Sequence, residues 1–214
     1  GSDLVEESRQ SLVTRLPLGV GKCRLAICVP EESSLHKPSD LHNIRIATSF
    51  PRCSENFLKR HEVEAHLVPI TGSVEAMISL GVAEAIVDLV ETGSTLVANR
   101  LRILETIGNY EAILVQNKDL GDSELANKVV RRLEGIVIAR EYSLLEYNIP
   151  REKLAQAEEL TPGFESPTVS ALEDLNWCAV RVMVKRDELI ELMEKLERVG
   201  ATAVLETQIQ NCRL

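Results

Sequence analysis

The chain has 214 residues, room for one large domain or two small ones; hydrophobic residues make up 44% and charged residues 27%, enough to fold around a core, and aromatics are only 3%, so that core is left to Leu, Ile, Val and Ala. A net charge of −9 argues against a nucleic-acid partner, because phosphate contacts need clustered Lys and Arg, and no apolar run is long enough to span a membrane. Five cysteines, Cys23, Cys28, Cys53, Cys178 and Cys212, are odd in number and lack a Cys-x-x-Cys pair, which reads as reduced thiols in a cytoplasmic protein rather than a disulfide or zinc framework.

Arg24–Val29 reads as a strand stopped by Pro30, with a polar loop to Pro38. Ile44–Thr48 is a second strand, Ser54–His61 is helical, and Ala65–Pro69 alternates as a strand. Ser73 is placed to cap a helix running to Gly81, a suitable residue just past a helix end. Ala85–Val90 follows as a strand, then Leu101–Ile107 and Glu111–Gln116. Strands alternating with helices predict a mainly parallel sheet. Ser123 or Asp122 caps a helix to about Ala139, with Leu125, Val129, Val130, Leu133, Val137 and Ile138 near one face. Cys28 and Cys178 fall in strand-like runs as small core residues.

Beyond Arg140 the texture changes. Glu141–Tyr147 is strand-like, and Pro150 is placed to open a helix to Leu160. Thr168–Leu172 and Trp177–Val184 read as strands, Asp187–Val199 as a helix closed by Gly200, and Ala203–Ile209 as a last strand. This β-α-β-β-α-β order is the ferredoxin-like plan, which by itself gives no function.

One segment carries chemistry. Ala85–Val90 is an apolar run holding Asp88, followed by Glu91 and the turn Thr92-Gly93-Ser94-Thr95. A strand ending in hydroxyl residues and glycine presents backbone N–H groups that can hold a phosphate. The acids cannot bind phosphate, but they can accept from sugar hydroxyls or hold Mg²⁺. A plain turn fits the same residues, with Gly93 supplying a positive φ and Thr95 a helix cap, and spacing alone favours it. The segment is not the Gly-x4-Gly-Lys-Ser/Thr loop. The four histidines, His36, His42, His61 and His66, show no metal-ligand spacing, and no nucleophile–base arrangement stands out.

The run Gly72-Ser73-Val74-Glu75, the stretch Ala83–Leu96, and Ala98-Asn99 with Leu101 resemble ATP phosphoribosyltransferase. Leu18–Leu25, Arg45–Thr48, Glu134–Arg140, Thr161–Thr168 and Asn211–Leu214 extend the resemblance over nearly the whole chain, to the long form with a C-terminal histidine-sensing domain. The resemblance implies an α/β fold: a periplasmic-binding-protein-like catalytic region, its first domain incomplete, followed by a ferredoxin-like βαββαβ regulatory domain. Residues 1–20 and 107–140 would be remnants of catalytic domain I, 21–106 domain II, and 141–214 the regulatory domain.

The reaction so implied moves the phosphoribosyl group of 5-phosphoribosyl 1-pyrophosphate to N1 of ATP, the first step of histidine biosynthesis, with Mg²⁺ accompanying the pyrophosphate and histidine as feedback inhibitor. Thr92, Gly93, Ser94 and Thr95 would cradle the 5-phosphate, and Asp88 and Glu91 would face the ribose as the catalytic pair. Ser73 and Glu75 would lie beside the nucleotide, although a helix cap and its first-turn acid explain them equally. No side chain is assigned to a resident metal. The histidine pocket would comprise Asn148, Phe164, Ser166, Thr168 and Ala203; the resemblance implies that relatives can carry Asp where Asn148 stands, which weakens the ionic contact to the ligand's amine. A homo-oligomer, dimer or hexamer, is implied as well.

The family's N-terminal strand, its Pro-Lys-Gly-Arg-type segment and most of a Gly- and Asp-rich segment find no counterpart before Asp3-Leu4-Val5. That leads to the expectation of an inactive fragment of an enzyme. The competing reading is a non-catalytic small-molecule-binding or regulatory protein of the same lineage.

Overall fold

The computed structural model describes residues 1–8 and 10–213 and divides between Gly121 and Asp122 into two compact units. The helix expected to belong with the catalytic region falls in the C-terminal unit, ahead of the 140/141 boundary taken from the sequence.

The first unit contains α1 (Ser2–Glu7), β1 (Leu12–Pro17), β2 (Cys23–Pro30), β3 (Arg45–Thr48), α2 (Pro51–Arg60), β4 (His66–Pro69), α3 (Ala76–Ser79), β5 (Ala85–Val90), α4 (Ser94–Ala98), β6 (Leu101–Tyr110) and β7 (Ile113–Asn117). Five strands form a sheet in the order β4-β3-β5-β2-β6. Leu25, Ile27, Ile46 and Val87 pack on one face against Phe57 and Leu58 of α2. Ala26, Cys28, Ala47 and Ile86 pack on the other with Val74 and Leu96. Covered on both faces, β2 and the start of β5 need the unbroken apolar runs that they carry. A separate antiparallel ribbon joins β1 to β7.

The sheet is mixed rather than mainly parallel. β3 runs parallel to β4 and β5, whereas β2 is antiparallel to both β5 and β6. Apolar runs report burial on two faces, a condition that an inner antiparallel strand meets as well as a parallel one.

The second unit contains α5 (Glu124–Glu141), β8 (Tyr142–Pro150), α6 (Leu154–Leu160), β9 (Thr168–Ala171), β10 (Trp177–Lys185), α7 (Leu189–Val199) and β11 (Thr202–Gln208). Its four strands lie in the order β11-β8-β10-β9, every pair antiparallel. Leu145, Tyr147, Ile149, Val180 and Val182 alternate onto one face and pack with Ala157 of α6 and Leu189 and Leu196 of α7. The opposite face bears Glu146, Asn148 and Arg181, with Arg181 donating to Glu146 Oε1 at 2.6 and 2.8 Å.

Three local expectations are corrected. Pro150 is the last residue of β8, and a 3-10 turn over Arg151–Lys153 precedes α6, so the proline ends a strand instead of opening a helix. Ser73 does not cap a helix: α3 is one short turn whose cap position is Glu75, and Ser73 sits at φ 46 directly after Gly72 at φ 73. In α5 the buried residues are Gly135 and Ala139, whereas Leu125 and Val129 are exposed. Ser123 caps α5, accepting the amide of Ala126 at 3.3 Å. The five cysteines are free thiols, with Cys28 and Cys178 in the core, and all four histidines are exposed. No helix among the described residues is long and apolar enough to cross a membrane.

Candidate functional site

The tip of β5 forms a cavity of about 400 Å³. Its lining brings together Glu75, Asp88, Glu91, Thr92, Gly93, Ser94 and Thr95. The backbone places them in sequence order: β5 runs out of the sheet at Val90, and Gly93 turns the chain at φ 82, ψ 1 into α4. A side chain at that φ would be strained, so the glycine is what lets helix follow strand so closely. Gly93, not Thr95, holds the cap position of α4, and no side chain caps that helix.

The turn is partly tied to itself. The Thr92 and Ser94 hydroxyls lie 3.1 Å apart, and the Ser94 amide reaches Thr92 Oγ1 at 3.4 Å. The amides of Thr92, Gly93 and Thr95 donate to no protein acceptor among the described residues. Backbone donors of this kind, with two hydroxyls beside them, suit an anionic oxygen cluster.

Asp88 lies half-buried in β5, and its Oδ1 accepts the amide of Leu89 at 2.8 Å. Burial pushes its carboxyl above the ordinary value; the Leu89 bond acts the other way, and the charge of Glu75 adds to the rise. Asp88 and Glu75 are therefore like charges held near each other in a site whose lining contains no Lys or Arg. A cation or hydroxyl donors on a ligand would relieve both.

Ser73 is exposed and stays off this lining, while Glu75 joins it. Among the lining residues from outside the β5 segment, Gly21, at φ 63, and Cys23, the first residue of β2, were given no role by the sequence. Their signal was the Gly-x-Gly spacing ahead of a strand, within the Leu18–Leu25 stretch that carries part of the resemblance. A second cavity of about 580 Å³ adjoins the first, sharing Cys23, Val90 and Glu91, and it brings in Lys22, Arg24 and Tyr110.

In the C-terminal unit, Asn148, Thr168 and Ala203 meet on the open face of the sheet, in a cavity of about 270 Å³ with Glu146 and Arg181. Cross-strand register explains the meeting: Asn148 pairs with Ala179 and with Thr202, and Thr168 pairs with Arg181. Ala203 lies in the irregular stretch of β11 at φ 48. Phe164 lines a different cavity of about 250 Å³, its ring 5.1 Å from that of Tyr142. Ser166 lines neither cavity.

Comparison with known proteins gives this geometry a family. The family model described as ATP phosphoribosyltransferase matches residues 1–135, and that of the C-terminal domain of the same family matches residues 139–211. The ATP phosphoribosyltransferase of Rhodopirellula baltica is 56% identical over 214 residues, all of this chain and 72% of the relative. Those of Saccharopolyspora erythraea and Yarrowia lipolytica are 40% and 36% identical, with the chain spanning 76% and 74% of their lengths. Among solved structures, the ATP phosphoribosyl transferase (HisG:HisZ) complex from Thermotoga maritima aligns at 26% identity and a TM-score of 0.53, over 60% of this chain and 62% of that one. Two matched family models and relatives of this identity make the chain a member of the ATP phosphoribosyltransferases, the glycosyltransferases that open histidine biosynthesis.

Proposed function

We propose that the β5 turn is where this enzyme holds 5-phosphoribosyl 1-pyrophosphate. The 5-phosphate lies against the amides and hydroxyls of Thr92, Gly93, Ser94 and Thr95. Asp88 and Glu91 accept from the ribose hydroxyls, with Asp88 closest to the ring. The observation that carries this reading is the conjunction of open turn amides and a half-buried carboxylate on one cavity.

The bond from C1 to the pyrophosphate oxygen breaks, N1 of ATP bonds to C1, and pyrophosphate departs with the electron pair. Positive charge builds at C1, and a fixed carboxylate stabilises it without having to reorganise. No covalent nucleophile is needed, so holding the two substrates in line supplies much of the rate. Glu75 stands where the nucleotide approaches. Among the described residues there is no cluster of three or more His, Cys, Asp or Glu side chains that could hold a metal. Isolated acids fit Mg²⁺ arriving on the pyrophosphate, since that ion keeps waters and takes only one or two carboxylates.

The catalytic region is read as periplasmic-binding-protein-like and the antiparallel C-terminal sheet as a ferredoxin-like sensor of histidine. Asn148, Thr168 and Ala203 would form that second site on the open sheet face; Phe164 lines a separate cavity and Ser166 lines neither, so they are left out of it. A cytoplasmic homo-oligomer completes the reading.

Thr95→Val tests the first site. Removing a protein hydroxyl that bonds a charged ligand costs about 1.5–3 kcal/mol, or roughly 10- to 100-fold in affinity. Calorimetric titration with 5-phosphoribosyl 1-pyrophosphate reads this directly. Unchanged affinity in the variant overturns the proposal.

A further inference from the structure

Helix α1 has six residues, too few to be stable alone, yet it is tied down at both ends. At its C-terminal end the Glu7 carboxylate spans the first turn of α2: Oε1 accepts the Arg52 amide at 2.9 Å and Oε2 accepts the Cys53 amide at 2.9 Å. The local sequence offers α2 no such cap, since Phe50 occupies the cap position without a side-chain bond. Glu7 supplies it from 45 residues upstream. Arg52 answers by donating from Nη1 to the Ser8 carbonyl at 2.8 Å. Burial pushes the neighbouring Cys53 thiol up to about 12, with its hydrogen bond to Glu7 adding to the rise, so the thiol stays protonated beside the carboxylate.

The next tether is Tyr110, whose hydroxyl donates to Glu6 Oε2 at 2.9 Å. At the N-terminal end, Ser2 exchanges bonds with Glu111: its amide donates to the Glu111 carbonyl at 2.9 Å, and its hydroxyl accepts the Glu111 amide at 3.1 Å. Ser2, Tyr110 and Glu111 all line the larger cavity, the one that shares Cys23 and Glu91 with the phosphoribosyl turn. Asp3, 5% exposed, acts with Glu91 on the Cys23 thiol, which burial first of all pushes up. The helix thus has one end at the cavity and the other on α2.

We propose that Glu7 is a positioning residue: by capping α2 it holds α1 in place as a wall of the double cavity, and so sets the affinity of the phosphoribosyl site without touching the ligand. This rests on the reading of that cavity given above. A cap of purely structural value would lower stability and leave binding alone.

The test compares the wild-type chain with Glu7→Ala, Glu7→Gln and Arg52→Ala. Affinity for 5-phosphoribosyl 1-pyrophosphate is measured by calorimetry, and amide hydrogen exchange is followed over residues 2–8. Loss of a cap corresponds to about fivefold in an equilibrium constant. Glu7→Ala is expected to weaken binding by about that factor and to speed exchange in α1. Glu7→Gln, which keeps one acceptor oxygen, falls between Glu7→Ala and the wild type. Arg52→Ala weakens binding in the same direction, although its side chain lines neither cavity. A lowered Tm with unchanged affinity in both Glu7→Ala and Arg52→Ala overturns the proposal. A wild-type chain that does not bind the ligand overturns the functional reading itself, and is told apart because it needs no variant.

Discussion

The carbonyl of Gly135, in the middle of α5, accepts the amide of Cys212 at 2.9 Å, so the C-terminal tail lies directly on helical backbone. A Cβ at residue 135 would stand 2.6 Å from Asn211 Oδ1 and 2.7 Å from the Cys212 carbonyl. The Asn211 side chain can swing away, but the Cys212 carbonyl moves only if the tail does. Gly135→Ala gains up to about 1 kcal/mol of helix propensity and loses about 1–3 kcal/mol to overpacking. The expected net result is a loss of about 1 kcal/mol and faster amide exchange at Cys212, read by denaturant unfolding and hydrogen exchange. Unchanged protection of Cys212 would show that the tail tolerates the methyl group.

Tyr147 and Thr161 share a buried hydroxyl pair in the C-terminal core, 2.7 Å apart, and Thr161 Oγ1 also donates to the Ala157 carbonyl at 2.9 Å. Both residues are about 1% exposed, and no buried side-chain N or O atom among the described residues lacks a partner. Thr161→Val keeps the shape and strands the Tyr147 hydroxyl. Leaving such a group unsatisfied costs about 1–3 kcal/mol. Tyr147→Phe combined with Thr161→Val removes both partners and is expected to recover part of that loss in chemical denaturation.

Asp88 carries a cost that its proposed role at the ribose would explain. Its carboxyl is raised in the folded chain, chiefly by burial. For an acid raised by folding, the native state holds the proton longer than the unfolded chain. Stability therefore falls as pH climbs from the ordinary carboxylate value through the raised one, and the deficit stays at higher pH. Asp88→Asn is expected to raise the Tm at pH 7 and to leave it unchanged at pH 3, where both forms are neutral. The same variant should bind 5-phosphoribosyl 1-pyrophosphate more weakly. An equal Tm for the two proteins at pH 7 would remove burial of the charged form as the cause.

The residues that were legible in the sequence share a local cause. β5 was bounded correctly because an apolar run covered on both faces ends where Glu91 and Thr92 meet solvent. The end of α7 was legible because Gly200 takes φ 103. Strand direction was not, since β2 looks the same to a periodicity argument whichever way its neighbours run. The length of α3 failed because Gly72 and Ser73 take positive φ in succession, so the helix begins only at Ala76. At the site, the turn residues are contiguous and were found together, whereas Gly21 and Cys23 reach the same cavity only through the pairing of β2 with β5. The cap on α2 was hidden for the same reason, its acid lying on another helix. Phe164 and Asn148 were grouped by resemblance, and within this chain they line different cavities.

Histidine sensing is testable through Asn148. Its side chain sits on the open sheet face with Thr168 and Ala203, and the nearest charged groups there, Glu146 and Arg181, are already paired with each other at 2.6 Å. A ligand ammonium group therefore meets a neutral amide where a carboxylate would attract it. Asn148→Asp restores the charge, and a hydrogen bond to a charged group contributes about 1.5–3 kcal/mol, so histidine should bind roughly tenfold or more tightly in the variant. A ligand about 100-fold above its dissociation constant stabilises the folded chain by about 2.7 kcal/mol, which a thermal shift resolves. The wild-type chain is expected to shift only at high histidine and the variant at a concentration at least tenfold lower. Because Arg181 stands on the same face, the new carboxylate has a competing partner, and Arg181→Ala in the Asn148→Asp background should weaken that competition and tighten histidine further. A variant that binds histidine no better than the wild type, at any salt concentration, would place the amino-acid site away from this face.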